Sequence, residues 1–260
     1  MLTEADCLPT GKNEEAEIEV VIDAINQHLF HNEITLLEDG KASIAGLVFD
    51  TELLYCDQNN GHHEERFLYN HIIGMLIEAS VGEWREDYDL SEAYYESILE
   101  IAIVFSDLGK LSTLKDSPKK TWPDGTPQST AFGHDKASAK IFNEAVWQSR
   151  DDRWTQRESE INAETGTEAI AIHWIITEHM NAHKLAEMDE QGKTTIPDWL
   201  KPQVEGLHAW DWPEWTDLEI PHGANMGKKA YAWIRRGASI LLRIKQQCDE
   251  NGRISKESFN

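Results

Sequence analysis

In FSDLGKLSTLKDS, residues 105–117, an aspartate and a lysine follow directly on the apolar run ILEIAIVF. A helix that ends by pushing the Asp107 carboxylate out of its apolar run is either badly capped or holding something positive. The chain carries matching groups elsewhere. His71 lies four residues from both Phe67 and Met75, on the apolar face of its helix. His134 opens a helical pattern after Phe132-Gly133, and His179 ends the stripe Ile172, Ile175, Ile176. Asp249 lies seven residues beyond Leu242, near the end of the last helix. Taken singly, each fits a hydrogen-bonded core residue or a helix end near solvent. Taken together, imidazoles and carboxylates on the inner sides of helices point to a shared divalent cation. Such donors suit manganese, iron, cobalt, nickel or zinc, with magnesium at the carboxylate-rich extreme.

The elements that must position these groups are mainly helical. Residues 14–30 place Ile18, Val21, Ile25 and Leu29 three or four apart, the stripe of an amphipathic helix. The stretch EITLLEDGKASIAGLVFD reads as short extended pieces around Asp39-Gly40. From about residue 65 helical periodicity takes over, and a second helix is expected over 91–106, with Ser91 as N-cap. Lys110 to Gly133, carrying SPKK, WPDG and TPQS, reads as a long loop without regular structure. Helices are expected again over 134–148 and 166–181. The irregular IPDWLKPQVEGLHAWDWPEWTDLEIPHG then leads into a last helix from about Asn225 to Asp249. In that helix Tyr231, Ile234, Ala238, Leu241, Lys245 and Cys248 step by three and four. The expected architecture is mostly α: a single helical bundle with long irregular loops and a small N-terminal α/β addition.

Composition narrows the partners. The 260 residues carry a net charge of −23, a field that repels nucleic acid over most of the surface. It favours solubility, or docking on a basic protein partner. Against it, Lys110, Lys115, Lys119 and Lys120 gather on one segment, a local positive well suited to a phosphate group. The three cysteines Cys7, Cys56 and Cys248 have neither disulfide-framework nor CxxC spacing. MLTEADCLPTG lacks the basic and apolar regions of a leader, and no window approaches a membrane span, so a cytoplasmic location is expected. Oligomeric state is not legible.

In chain order, QNNGHHEERFLYNHIIGMLIEA, VFSDLGKLSTLKDS, AFGHDKASAKIF, IITEHM and QQCDENGR resemble the HD-domain metal-dependent phosphohydrolases, closest to the modules of CCA-adding and RNA-repair enzymes. The resemblance covers roughly residues 55–253. It implies an HD-like helical domain over 51–260, with 1–50 as an N-terminal extension. It further implies that His71 is the first metal ligand, that Asp107 binds or bridges the ions, and that Lys110 reaches the substrate phosphate. His134 and His179 correspond to the ligands of a second ion, and Asp249 to the closing aspartate, with Asp211 or Asp217 as alternatives. His62 and His63 are expected to face substrate or to support the ligands, and Lys115 to help bind the phosphate. One or two divalent ions are implied.

One position departs from the pattern. Ser106 stands where the family has the doublet histidine, and serine is a poor neutral ligand. Three readings follow: a working enzyme with an altered site, a binding module that kept the fold, or a substitution introduced at that position. The expected activity is hydrolysis of a phosphate on a nucleotide, or of a terminal or cyclic phosphate on a nucleic-acid end. The other expectation is a catalytically impaired module that binds a nucleotide or a protein. Trp199, Trp210, Trp212 and Trp215 crowd the second irregular stretch, either as packing anchors or as a stacking platform for a base. His208 and His222 flank it.

Overall fold

The computed structural model describes residues 17–58, 60, 63, 65–81, 93–149, 154, 165–190, 241, 242 and 244–253. His62, the four tryptophans of the second irregular stretch, His208, Asp211, Asp217, His222 and Cys7 lie outside the described residues, as do the expectations attached to them.

Helix α1 (Ile18–Asn26) buries Val21, Ile22 and Ile25, as its stripe requires. A three-stranded antiparallel meander follows: β1 (Ile34–Leu36), β2 (Lys41–Ile44) and β3 (Leu47–Asp50). The β1–β2 turn holds Asp39 and Gly40 at φ 57° and 69°, and the β2–β3 turn holds Ala45 and Gly46 at φ 51° and 78°. Two consecutive left-handed residues match the twist of a tight hairpin. Asp-Gly announces such a turn; Ala-Gly does not, and here tertiary contacts hold it. Trp154 Nε1 donates to Ala45 O at 2.6 Å, and Ser149 Oγ donates to Gly46 O at 3.1 Å. A short 3-10 helix (Thr51–Tyr55) leads towards α2 (Leu68–Val81).

Helix α3 (Ala93–Ser106) is the central element; the described residues from Tyr95 to Ser106 are all buried. It is followed by the single-turn α4 (Lys110–Thr113), then by a two-stranded ribbon of β4 (Lys115–Thr121) and β5 (Pro127–Thr130). Helices α5 (His134–Gln148) and α6 (Thr165–Glu190) come next. Residues 241, 242 and 244–251 are helical and are labelled α7, the last helix among the described residues. Helices α3, α5 and α6 pack on one another, α2 packs on α3, and α5 also packs on β3. Buried residues of the meander and of the helices belong to one apolar cluster.

The mostly α bundle is therefore corrected: two antiparallel sheets, of three strands and two, are interleaved with the helices. The expectation of a structureless Lys110–Gly133 loop fails with it. A two-stranded ribbon has two free edges, so Pro118, Pro127 and a row of lysines are tolerated where a central strand would reject them. Nearly every residue of β4 is exposed, so no apolar alternation marks it in the sequence. Helix α6 also runs beyond the expected 166–181, to Glu190.

Candidate metal centre

The chain turns sharply after α3. Leu108 N donates to Phe105 O and Lys110 N to Asp107 O, so Asp107, Leu108 and Gly109 form a tight turn that holds the Asp107 side chain inward. Gly109 is needed there because α5 lies against it. An added Cβ would clash with Ser138 N and stand 2.6 Å from His134 O. Gly109 N donates to Ser138 Oγ at 2.9 Å, which ties the start of α5 to the Asp107 turn. Gly133, at φ 83°, lets the chain enter α5 with His134 facing the same point.

Asp107, His134 and His179 form a tight group. Asp107 Oδ1 is 3.1 Å from His134 Nε2 and 3.8 Å from His179 Nε2, and the two Nε2 atoms are 3.0 Å apart. The ring tautomers follow from the far nitrogens. His134 Nδ1 lies 2.7 Å from Ala131 O, and His179 Nδ1 lies 2.6 Å from Ile176 O. A carbonyl only accepts, so both Nδ1 atoms carry the proton and both Nε2 lone pairs face each other and a carboxylate oxygen. Three lone pairs aimed at one point repel unless a proton or a cation lies between them. Burial pushes His179 well below the ordinary histidine value, which leaves a metal ion as the better occupant.

His71 lies on the other side of Asp107, fully buried. Its Nε2 is 3.5 Å from Asp107 Oδ2 and 3.1 Å from Asp249 Oδ1, and its Nδ1 is 3.0 Å from Glu65 Oε1. None of these contacts has hydrogen-bond alignment. His71 Nδ1 and Nε2, Asp107 Oδ2 and Glu65 Oε2 are all buried without a hydrogen-bond partner among the described residues. Burial alone would lower His71, but Asp107, Asp249 and Glu65 outweigh it and raise the ring to about 9. Asp107 is held well below the carboxylate range by Lys110 and Lys245 against the opposing effect of burial.

Asp249 is contacted by a histidine, a lysine and an arginine. His183 Nε2 is 2.6 Å and the fully buried Lys245 Nζ 3.5 Å from its Oδ2, while Arg253 reaches Oδ1 through two nitrogens at 3.0 and 3.2 Å. Ser106 supplies nothing to the centre: its Oγ donates to Ile103 O at 3.1 Å, turned back on its own helix. His63 Nδ1 bonds Glu65 Oε1 at 2.7 Å, and its ring lies edge-on to His71 with centroids 4.6 Å apart. Burial, then the charge of Lys110, pushes His63 down to about 3.

Asp107, His134, His63, His183 and Asp249 open on a pocket of about 800 Å³, with His71 and His179 buried outside its lining. Lys110 Nζ projects into it, donating to Gln58 Oε1 at 2.6 Å and lying 3.4 Å from Asp107 Oδ1. Lys120 and Ser129 of the ribbon, Lys136 and Arg253 also line it, and Phe132 stands at its edge with 94% of its surface exposed. The structure thus brings together His63, His71, Asp107, Lys110, His134, His179 and Asp249. Lys115 does not join them: among the described residues it is an exposed side chain of β4, outside the pocket lining.

Glu65, His183, Lys245 and Arg253 escaped the sequence reading. Glu65 sits in a charged run, HHEER, that looks like surface. Lys245 did leave a signal, as the one charge on the apolar stripe of the last helix, four residues before Asp249. Compared with protein-family models, curated proteins and solved structures, the chain matches none.

Proposed function

We propose that the pocket is the centre of a metal-dependent phosphohydrolase of the HD type, acting on the phosphate of a nucleotide or of a nucleic-acid end. The observation that carries this reading is the convergence of Asp107 Oδ1 with the Nε2 lone pairs of His134 and His179. The donor set of two imidazoles and a carboxylate fits manganese, iron, cobalt, nickel or zinc better than magnesium. A divalent ion held there would supply Lewis acidity and lower the pKa of a coordinated water. The chain's own residues do the rest. Lys110 presents an ammonium to the phosphate oxygens beside the ligands, and Gln58 holds that ammonium in place. Lys120, Lys136 and Arg253 add positive charge along the wall. The same wall carries Asp107, Asp135, Glu178, Asp249 and Glu250, so the four cations are local partners for a compact anion within a mixed lining.

A second reading has its own support. Ser106 is turned away from the centre, and Asp249 is engaged by His183, Lys245 and Arg253, so the chain has the features of a module that binds a phosphate ligand without turning it over. One experiment separates the two: metal content of the purified protein, followed by a phosphatase screen over nucleotides and phosphorylated or cyclic-phosphate RNA ends. Metal-dependent turnover that disappears in Asp107→Ala and His134→Ala supports the enzyme. Nucleotide binding without turnover under every metal tried supports the module.

A further inference from the structure

We propose that His63, Glu65 and His71 form a second divalent-cation site in this chain, beside Asp107, His134 and His179, supplying donors that Ser106 and Asp249 withhold. The inference rests on reading the pocket as a metal centre, and it names where a second ion binds. The three residues offer one donor atom each, all within 4.8 Å of one another. Glu65 Oε1 is 2.7 Å from His63 Nδ1 and 3.0 Å from His71 Nδ1. Donors around one ion at about 2.1 Å stand about 3 Å apart, so these spacings suit a shared ion with little rearrangement.

Two further observations point the same way. The Glu65 side chain has no exposed surface, yet its Oε2 has no hydrogen-bond partner among the described residues. A buried carboxylate oxygen without a donor is costly, and a cation on the carboxylate would offset that cost. His71 Nδ1 is likewise buried and poorly aligned with its neighbour. Of the other groups around His71, Asp107 Oδ2 faces Nε2 at 3.5 Å, on the side of His134 and His179, and two more are already committed. Ser106 Oγ bonds Ile103 O, and both oxygens of Asp249 are met by His183, Lys245 or Arg253. With Nδ1 on the ion, His71 Nε2 carries the proton and faces Asp249 Oδ1 at 3.1 Å. That places Asp249 behind the histidine, close to Nε2 but without hydrogen-bond alignment. His63 lines the pocket, so an ion there is reachable by substrate.

The test is metal stoichiometry, with the full chain stripped by chelator and titrated with cobalt(II), followed by calorimetry and visible absorption. Two ions per chain are expected. His63→Ala and the near-isosteric Glu65→Gln should each retain one, with at least a tenfold loss of affinity for the other, and His134→Ala should retain the complementary one. Asp249→Asn, which keeps an acceptor, should still bind two. Far-ultraviolet circular dichroism confirms that each variant is folded, and a stoichiometry read on a folded Glu65→Gln decides the case if His63→Ala does not fold. One ion in the native protein, lost in His134→Ala and unaffected by Glu65→Gln and His63→Ala, overturns the second site while leaving the proposed function standing. Two ions reduced to one by Asp249→Asn but not by His63→Ala would also overturn it, assigning the second ion to Asp249. No binding by the native chain overturns both readings.

Discussion

His134 and His179 each give one ring nitrogen to a backbone carbonyl and turn the other on Asp107, so the metal-free centre holds donors that repel one another. Protons must then do part of the work of a cation, and stability becomes a function of pH. His71, raised to about 9, stabilises the fold fully below its unfolded value of 6.5 and loses that contribution as pH climbs through about 9. Glu65, Asp107 and Asp249 lie below their ordinary values, so their contribution holds above about pH 4 and is lost on acidification. His63 and His179 are depressed by burial, so protonation drains stability as the pH falls below about 6.5. Chelator-treated protein should therefore show a maximum urea midpoint near neutral pH, with a decline on both sides. A midpoint that keeps rising to about pH 10 would contradict the surroundings assigned to His71. Ser106 supports a second prediction. It is fully buried and bonded to its own helix, so Ser106→His overfills the site and should cost roughly 1–3 kcal/mol in denaturant melts. A stable Ser106→His with tighter metal binding would show that the pocket accepts the imidazole after all.

At the scale of elements, the centre depends on how closely two turns approach their neighbours. Gly109 lies against the first turn of α5, and Gly252 lies against α2, where an added Cβ would stand 2.7 Å from Gly74 C and 2.8 Å from Met75 N. Gly109→Ala should push α5 from the Asp107 turn and separate Asp107 from His134. The expected result is a loss of about 1–3 kcal/mol or more together with weaker metal binding. Gly125, at the tip of the ribbon with φ 87°, meets nothing within 4 Å. Gly125→Ala should cost only the left-handed backbone, about 1–2 kcal/mol, and leave metal affinity unchanged. If both variants lose metal alike, close packing at Gly109 is not what positions the ligands. Lys110 belongs to the same turn. Lys110→Ala should weaken binding of a nucleotide about ten- to hundredfold while the fold persists, as charge-assisted contacts are worth about 1.5–3 kcal/mol. Unchanged affinity by calorimetry would make the lysine a partner of Gln58 and Asp107 alone.

Across the whole molecule, the net charge of −23 opposes compaction, and salt screens that repulsion. The melting temperature should rise as sodium chloride increases and rise further on adding manganese, by mass action on the folded state. A fall with salt would mean that the paired charges of the centre outweigh the surface field. The composition, the inward register of His71 and His179, and the start of a helix at His134 after Phe132-Gly133 were legible in the order of residues, because 3.6-residue periodicity and glycine punctuation are local signals. The meander's first turn was legible for the same reason, through Asp39-Gly40. The second turn at Ala45-Gly46, the exposed β4–β5 ribbon and the use of Lys245 as a buried cation were not. Each rests on partners far away in the chain: Trp154 and Ser149 for the turn, Ser129 against the Gln58 carbonyl for the ribbon, Asp249 for the lysine. Glu65 is the sharpest case. Its residue type and its charged neighbours describe a surface position, and only the tertiary structure buries that carboxylate between His63 and His71.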